Sequence, residues 1–198
     1  MGKAVLDMSM SVDGFIAGPN DVPGNGLGDG GGRLHSWFMA PSVDRKTVSE
    51  GLGGVNREVM DQALATGAVL VGGRTFWLAD GWGGDHHDGV PIIVVGRREP
   101  DSEQWPAVTY ESDVVEAMRL AKDAASDKDV LVHGARTGRL ALQQGVLDEV
   151  HLHVVPVLLG RGRRLFDDMP PDHIELELLR AVEAPGVLHL RYRVRTGG

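Results

Sequence analysis

The chain has 198 residues, 42% of them hydrophobic, which suffices for a substantial core and falls within the range of one α/β domain. A formal charge of −8 and an isoelectric point near 5.4 exclude a surface built to neutralise nucleic-acid phosphates or acidic membranes. The lack of cysteine excludes disulfides, thiolate catalysis and cysteine-ligated zinc. There is also no apolar run of roughly 20 residues and no basic-then-apolar amino terminus, so the expectation is a soluble, cytoplasmic protein with a single domain over residues 1–198.

From Lys3 to Val12 the chain alternates, with Leu6, Met8, Met10 and Val12 on one face and Asp7, Ser9, Ser11 and Asp13 on the other. This predicts a strand with one polar face. Residues 18–54 are rich in Gly, Asn, Asp and Pro around the apolar patch Leu34 to Met39, and they predict a long functional loop. Within it, Gly26, Gly28 and Gly31 have the spacing G-x-G-x-x-G. That fingerprint needs a strand just before it and a helix just after it, and neither is present. The segment Gly24 to Arg33 therefore reads as a mobile flap bordering the substrate side.

A helix capped by Asn56 follows, with Val59, Met60, Ala63 and Leu64 inward and Gly67 ending it. Ala68–Val71, Pro91–Val95 and Val130–Val132 are short apolar runs that stop at loops and predict buried strands. Ser112 is the expected cap of a helix whose Val114, Met118, Ala121 and Ala125 share a stripe, and a short helix ends near Gly145. Strand, loop, helix and strand recur, which implies a largely parallel sheet covered on both sides. Strands over Glu149–Leu158, Ile174–Val182 and Val187–Val194 follow, the last two turning at Pro185-Gly186 into an antiparallel hairpin.

Ligands of parallel α/β sheets bind beyond the carboxyl ends of the strands. Three loops lie there: Gly72-Gly73-Arg74-Thr75, Gly96-Arg97-Arg98 and His133-Gly134-Ala135-Arg136-Thr137. Glycine lets a phosphate approach the backbone, arginine offers a charged donor fork and threonine a hydroxyl, so a phosphorylated cofactor is the expected ligand.

The segments Ser11 to Asp21, Val71 to Phe76 and Gly145 to Phe166 resemble the dihydrofolate reductase-like family, and within it the reductase domain of bifunctional riboflavin-biosynthesis deaminase-reductases. The resemblance implies a three-layer α/β/α fold with a mixed, mostly parallel sheet, NADPH as hydride donor, and a homodimer. It also implies that Arg74 and Thr75 contact cofactor phosphates and that Arg97 or Arg98 lies near the adenosine 2′-phosphate. Gly134 and Ala135 match the loop under the pyrophosphate, where the family usually carries a Gly-Gly pair. Ile16 and Ala17 match the loop that closes over the nicotinamide. The expected activity is hydride transfer to a small nitrogen heterocycle or related C=N or C=O group, like that of 5-amino-6-(5-phosphoribosylamino)uracil reductase. The alternatives are a non-catalytic dimeric nucleotide- or metabolite-binding protein on this fold, or a true dihydrofolate reductase.

For the proton that must accompany a hydride, Asp13 is the candidate acid, and capping of the turn at Gly14 is the competing reading. Ser11 and Trp37 are the candidate substrate contacts, with Trp37 either stacking on a heterocycle or anchoring the long loop. Asp85-His86-His87-Asp88 lacks spacing that would converge ligands, so no metal is expected. His151 and His153 share a strand face, where packing or an interface is favoured over a metal or a pH sensor. Arg161, Arg163 and Arg164 form a solvated loop or meet a substrate phosphate.

Overall fold

A computed structural model describes residues 2–39, 51–96, 105–169 and 173–195. Eight strands form one sheet in the order β5-β4-β3-β6-β1-β7-β10-β9. They are β1 (Ala4–Ser11), β3 (Ala68–Gly72), β4 (Ile92–Val95), β5 (Val108–Glu111), β6 (Val130–His133), β7 (Glu149–Val155), β9 (Leu176–Ala184) and β10 (Val187–Val194). The pairs from β5 through to β7 are parallel, whereas β10 runs antiparallel to both β7 and β9. The short strands β2 (Phe15–Ala17) and β8 (Arg163–Arg164) pair separately. This is the expected mixed, mostly parallel sheet with an antiparallel carboxyl-terminal hairpin. Ala184 faces Val187 across a two-residue turn in which Gly186 takes φ +79°, a conformation glycine adopts without strain.

Helix α3 (Val114–Ala125) and helix α4 (Ala135–Gln143) cover one face of the sheet. Ala117, Met118 and Ala121 of α3 pack there on Ala4, Leu6, Leu70 and Val132. Helix α1 (Gly54–Leu64) covers the other face, where Val59 and Met60 join Leu34, Trp37 and Val155. The short helix α2 (Gly73–Leu78) starts directly at the end of β3, and its Phe76 meets Trp105 at a ring-centroid distance of 5.0 Å.

Local details differ from the sequence expectations. Gly53, not Asn56, is the N-cap of α1, because the Asn56 side chain is recruited into the interior. Asp113, not Ser112, caps α3, accepting from the amides of Val115 and Glu116. Gly67 lies beyond the helix end, and a Cβ there would come within 2.8 Å of the Ala125 carbonyl, so it serves close packing. Gly26, Gly28 and Gly31 are packed against backbone: a Cβ on Gly28 would lie 2.3 Å from the Gly18 carbonyl and one on Gly26 2.5 Å from that of Leu78. This glycine-rich stretch is therefore a close-packed wall. Among the described residues no helix is long and apolar enough to cross a membrane.

Candidate active site

At the carboxyl ends of β1, β3 and β6 lies a cavity of about 390 Å³. Chain direction places it there, since parallel strands deliver their following loops to one edge of the sheet. Of the residues singled out from the sequence, Ile16, Ala17, Trp37, Arg74 and Thr75 line it. Ser11 and Asp13 do not, and Arg97 lies outside the described residues.

On one side, the starts of α2 and α4 sit close together. Gly134 caps α4 with φ +97°, and a Cβ there would lie 2.7 Å from Thr75 Oγ1. A Cβ on Gly72 would lie 2.7 Å from the Oγ1 of Thr137, which is itself buried. The two glycines thus let the Thr75 and Thr137 hydroxyls pack directly on bare backbone where the two helices start, a cradle that any side chain would disrupt. Ala135 and exposed Arg136 follow at the start of α4, and Gly73 opens α2. We expect Gly134→Ala to lose on the order of 1–2 kcal/mol in urea unfolding from the left-handed backbone alone. It should also lose binding at the cradle. Gly145→Ala is the control, with φ +67° and nothing within 4 Å of its Cβ, and should lose stability only.

At the cavity mouth, the Asp21 carboxylate takes two guanidinium groups, Arg74 at 2.9 Å and Arg163 at 2.9 Å. Burial would raise its pKa, but the hydrogen bonds from Arg74 and Arg163 outweigh burial and lower it. One carboxylate facing two guanidinium groups leaves a net positive rim for an anionic ligand. Arg164 instead packs over the Phe15 ring at 4.4 Å.

Asp13, the candidate acid, sits in the arrangement of its competing reading, the turn at Gly14. Its carboxylate accepts from Ser11 Oγ at 2.6 Å, from the Leu159 amide at 3.1 Å and from the Gly160 amide at 2.7 Å. These hydrogen bonds, that of Ser11 first, lower its pKa to about 2. A carboxylate with its lone pairs so occupied stays ionised at neutral pH and ties the β1–β2 turn to the 159–160 loop. Ser11 is fully buried and also accepts from the Phe15 amide at 2.9 Å, so it belongs to that tie and not to a substrate surface.

Trp37 is both anchor and wall. Its indole N–H donates to Ser9 Oγ at 2.9 Å, and its ring lies 4.9 Å from each of the rings of His153 and His189. Asp7, Ser9 and His153 line the cavity beside it. The signals for this trio were the polar face of β1 and the same-face pair His151 and His153. Across the cavity, His133 donates from Nδ1 to the Asp7 carbonyl at 3.0 Å, and its ring lies 5.2 Å from that of His86. Burial lowers the pKa of His133. Among the described residues no cluster of three or more metal-capable side chains forms, including around His86 and His87.

The sequence profile of the RibD C-terminal domain matches residues 3–190, and the chain belongs to that family. No curated protein matches it significantly. Among solved structures, it is similar to a protein from Shewanella sp. PV-4 provisionally assigned to riboflavin biosynthesis. That match has 17% identity and a TM-score of 0.70 over 99% of this chain and 100% of the other. It is also similar to the diaminohydroxyphosphoribosylaminopyrimidine deaminase/5-amino-6-(5-phosphoribosylamino)uracil reductase of Thermotoga maritima, at 14% identity and a TM-score of 0.63. There the match covers 98% of this chain but 57% of the other. The riboflavin biosynthesis reductase Rib7 of Saccharomyces cerevisiae matches at 14% identity and a TM-score of 0.60, over 98% of this chain and 90% of that one. At these identities the structures establish a common fold.

Proposed function

We propose that the protein is an NADPH-dependent reductase of a small nitrogen heterocycle, in the class of pyrimidine ribosylamines. The observation that carries this reading is Arg74 and Thr75 at the start of α2, which line the same cavity as Trp37 and Ser9, with Gly72, Gly134 and Thr137 packed directly behind them. The residues fit a dinucleotide phosphate: a hydroxyl and a guanidinium at the end of a parallel strand, backed by glycine without a Cβ. Bound there, the reduced cofactor supplies a hydride to an electrophilic C=N or C=O carbon. Ile16 and Ala17 border the cavity and exclude water from it, and the flat Trp37 ring provides a wall for a heterocycle. Ser9 Oγ already accepts from Trp37, which leaves its own O–H to donate to the substrate. Arg163, the second guanidinium at the mouth, is placed for a substrate phosphate.

The test is the double variant Arg74→Ala, Thr75→Ala. Charge-assisted hydrogen bonds are worth about 1.5–3 kcal/mol, so calorimetry should show NADPH binding weakened by roughly ten- to a hundredfold or more. Undiminished binding would remove the phosphate site. Cofactor oxidation is then followed with a pyrimidine ribosylamine, dihydrofolate and simple imines. Tight NADPH binding with no oxidation across that panel would favour a binding protein on the same fold.

A further inference from the structure

Between the sheet and α1 runs a line of buried polar side chains for which the reductase reading has so far no use. The Asn56 side-chain nitrogen reaches two carbonyl oxygens, Trp37 at 3.4 Å and Pro185 at 3.3 Å. Carbonyls only accept, so the amide must face them with its NH2 group and turn Oδ1 toward His189 Nε2, 2.9 Å away. His189 therefore carries a proton on Nε2. Burial, with His153 beside it, pushes the His189 pKa down to about 4, so the ring is neutral and its Nδ1 is bare. The 2.8 Å contact between His189 Nδ1 and His153 Nδ1 must then take its proton from His153.

At the other end, His153 Nε2 lies 3.1 Å from Asp7 Oδ1. Burial alone would raise the Asp7 carboxyl, but His153 first, then His151 and His133, hold it well below the usual carboxylate range. An ionised carboxylate only accepts. His153, 3% exposed, consequently donates from Nε2 to Asp7 and from Nδ1 to His189.

The other charged groups nearby are engaged elsewhere. Lys3 pairs with Glu149 at 2.6 Å, Arg180 pairs with Glu58, and Arg191 bonds Gln62. His151 bonds Glu149 at 3.0 Å and lies 3.8 Å from Asp7 Oδ2, and burial lowers its pKa.

This inference rests on the reductase reading. We propose that His153 is the acid of the cleft, passing to the substrate heteroatom the Nε2 proton that it shares with Asp7 in the unliganded protein, while Asp7, His189 and Asn56 are positioning residues that keep both of its ring nitrogens protonated. As the hydride brings two electrons to the substrate carbon from a reduced nicotinamide, the π pair of the C=N or C=O bond moves to the heteroatom. That pair takes the proton and leaves His153 neutral. Asp7 also lines a second groove, together with Lys3, Glu149, His151 and Arg191. That groove opens Asp7 to solvent, from which the pair regains its proton.

Nitrogen-15 NMR of histidine-labelled protein, with His153 assigned through His153→Gln, reads the protonation state without any turnover. Both His153 nitrogens should be protonated at neutral pH, with His189 a neutral Nε2–H tautomer; a neutral His153 would overturn the proposal. In single turnovers with NADPH and a pyrimidine ribosylamine, His153→Gln should slow reduction by at least about a hundredfold with NADPH affinity unchanged. The wild-type rate should fall with rising pH as the NMR shows His153 losing its proton. A drop of less than tenfold, or a rate indifferent to that titration, would also overturn it. Asn56→Leu releases the His189 tautomer and should move both titrations together to lower pH; if it does not fold, His189→Phe asks the same question. Wild-type protein that binds NADPH but never turns over the pyrimidine removes the reductase reading and the acid role with it. Neutral His153 with turnover intact removes the acid role alone.

Discussion

Trp37→Ala is expected to destabilise the protein by about 3–5 kcal/mol, the range for deleting a large buried aromatic ring. The ring is 6% exposed and joins Leu34, Val59, Met60 and Val155 in the cluster beneath α1. It also meets Phe38 at 4.7 Å and both His153 and His189 at 4.9 Å. Truncation leaves a cavity that the sheet, held by hydrogen bonds on both sides, cannot collapse to fill. It further strips Ser9 Oγ of its donor and admits water to the Asp7–His153 pair. Trp37→Phe keeps most of the apolar surface and loses the indole N–H, so about 1–3 kcal/mol is expected there, the cost of an unsatisfied buried acceptor. Urea unfolding monitored by circular dichroism separates the two. Equal losses for both variants would mean that the hydrogen bond, and not the packing, dominates.

The placement of Trp37 shows what the sequence carries and what it omits. A tryptophan inside a glycine-rich loop signals an anchor, and the alternation of β1 signals a polar face, but nothing local says that Ser9 and Trp37 meet 28 positions apart. The fold was legible because the interior strands are continuous apolar runs. Ala68–Val71 and Ile92–Val95 are buried on both faces, so their composition alone identifies them. Strand β5 (Val108–Glu111) had no such signal, being a short edge strand that is only half-buried. Asn56 reads locally as a helix cap, yet its partner His189 is 133 positions away, and that long-range bond outweighs the local preference. The surroundings of Asp13 were hidden for the same reason. Its deciding contacts, the amides of Leu159 and Gly160, are 146 and 147 positions distant. The glycine loops at 72–75 and 134–137 were legible as helix starts at strand ends because that signal is local, whereas the Asp7–His153–His189–Asn56 line joins three strands and a helix and exists only once they pack.

That line also makes the folded state sensitive to acid. The expected result is a loss of stability that begins as pH falls below about 6.5, before the ordinary carboxylates titrate. The sign follows from proton uptake. His189 is held neutral with its pKa depressed to about 4, and burial likewise depresses His87, His133 and His151. In the unfolded chain each returns to near 6.5 and binds a proton in this window, so unfolding takes up protons and stability declines as pH falls. His189 alone contributes on the order of 3 kcal/mol, because burial takes its pKa from 6.5 down to about 4. Below about pH 4 a second loss begins, because the depressed carboxyls of Asp7 and Asp13 stabilise the fold only while ionised. Urea midpoints measured at intervals from pH 7.5 to 4.5 should trace the first decline, with a slope approaching about 1.4 kcal/mol per pH unit for each histidine protonated on unfolding. His189→Phe should flatten that slope by about one proton whatever it does to absolute stability. A wild-type profile that stays level between pH 7 and 5 would mean that these histidines are already charged in the folded protein, and the hydrogen-bond directions that make His153 the donor would then reverse.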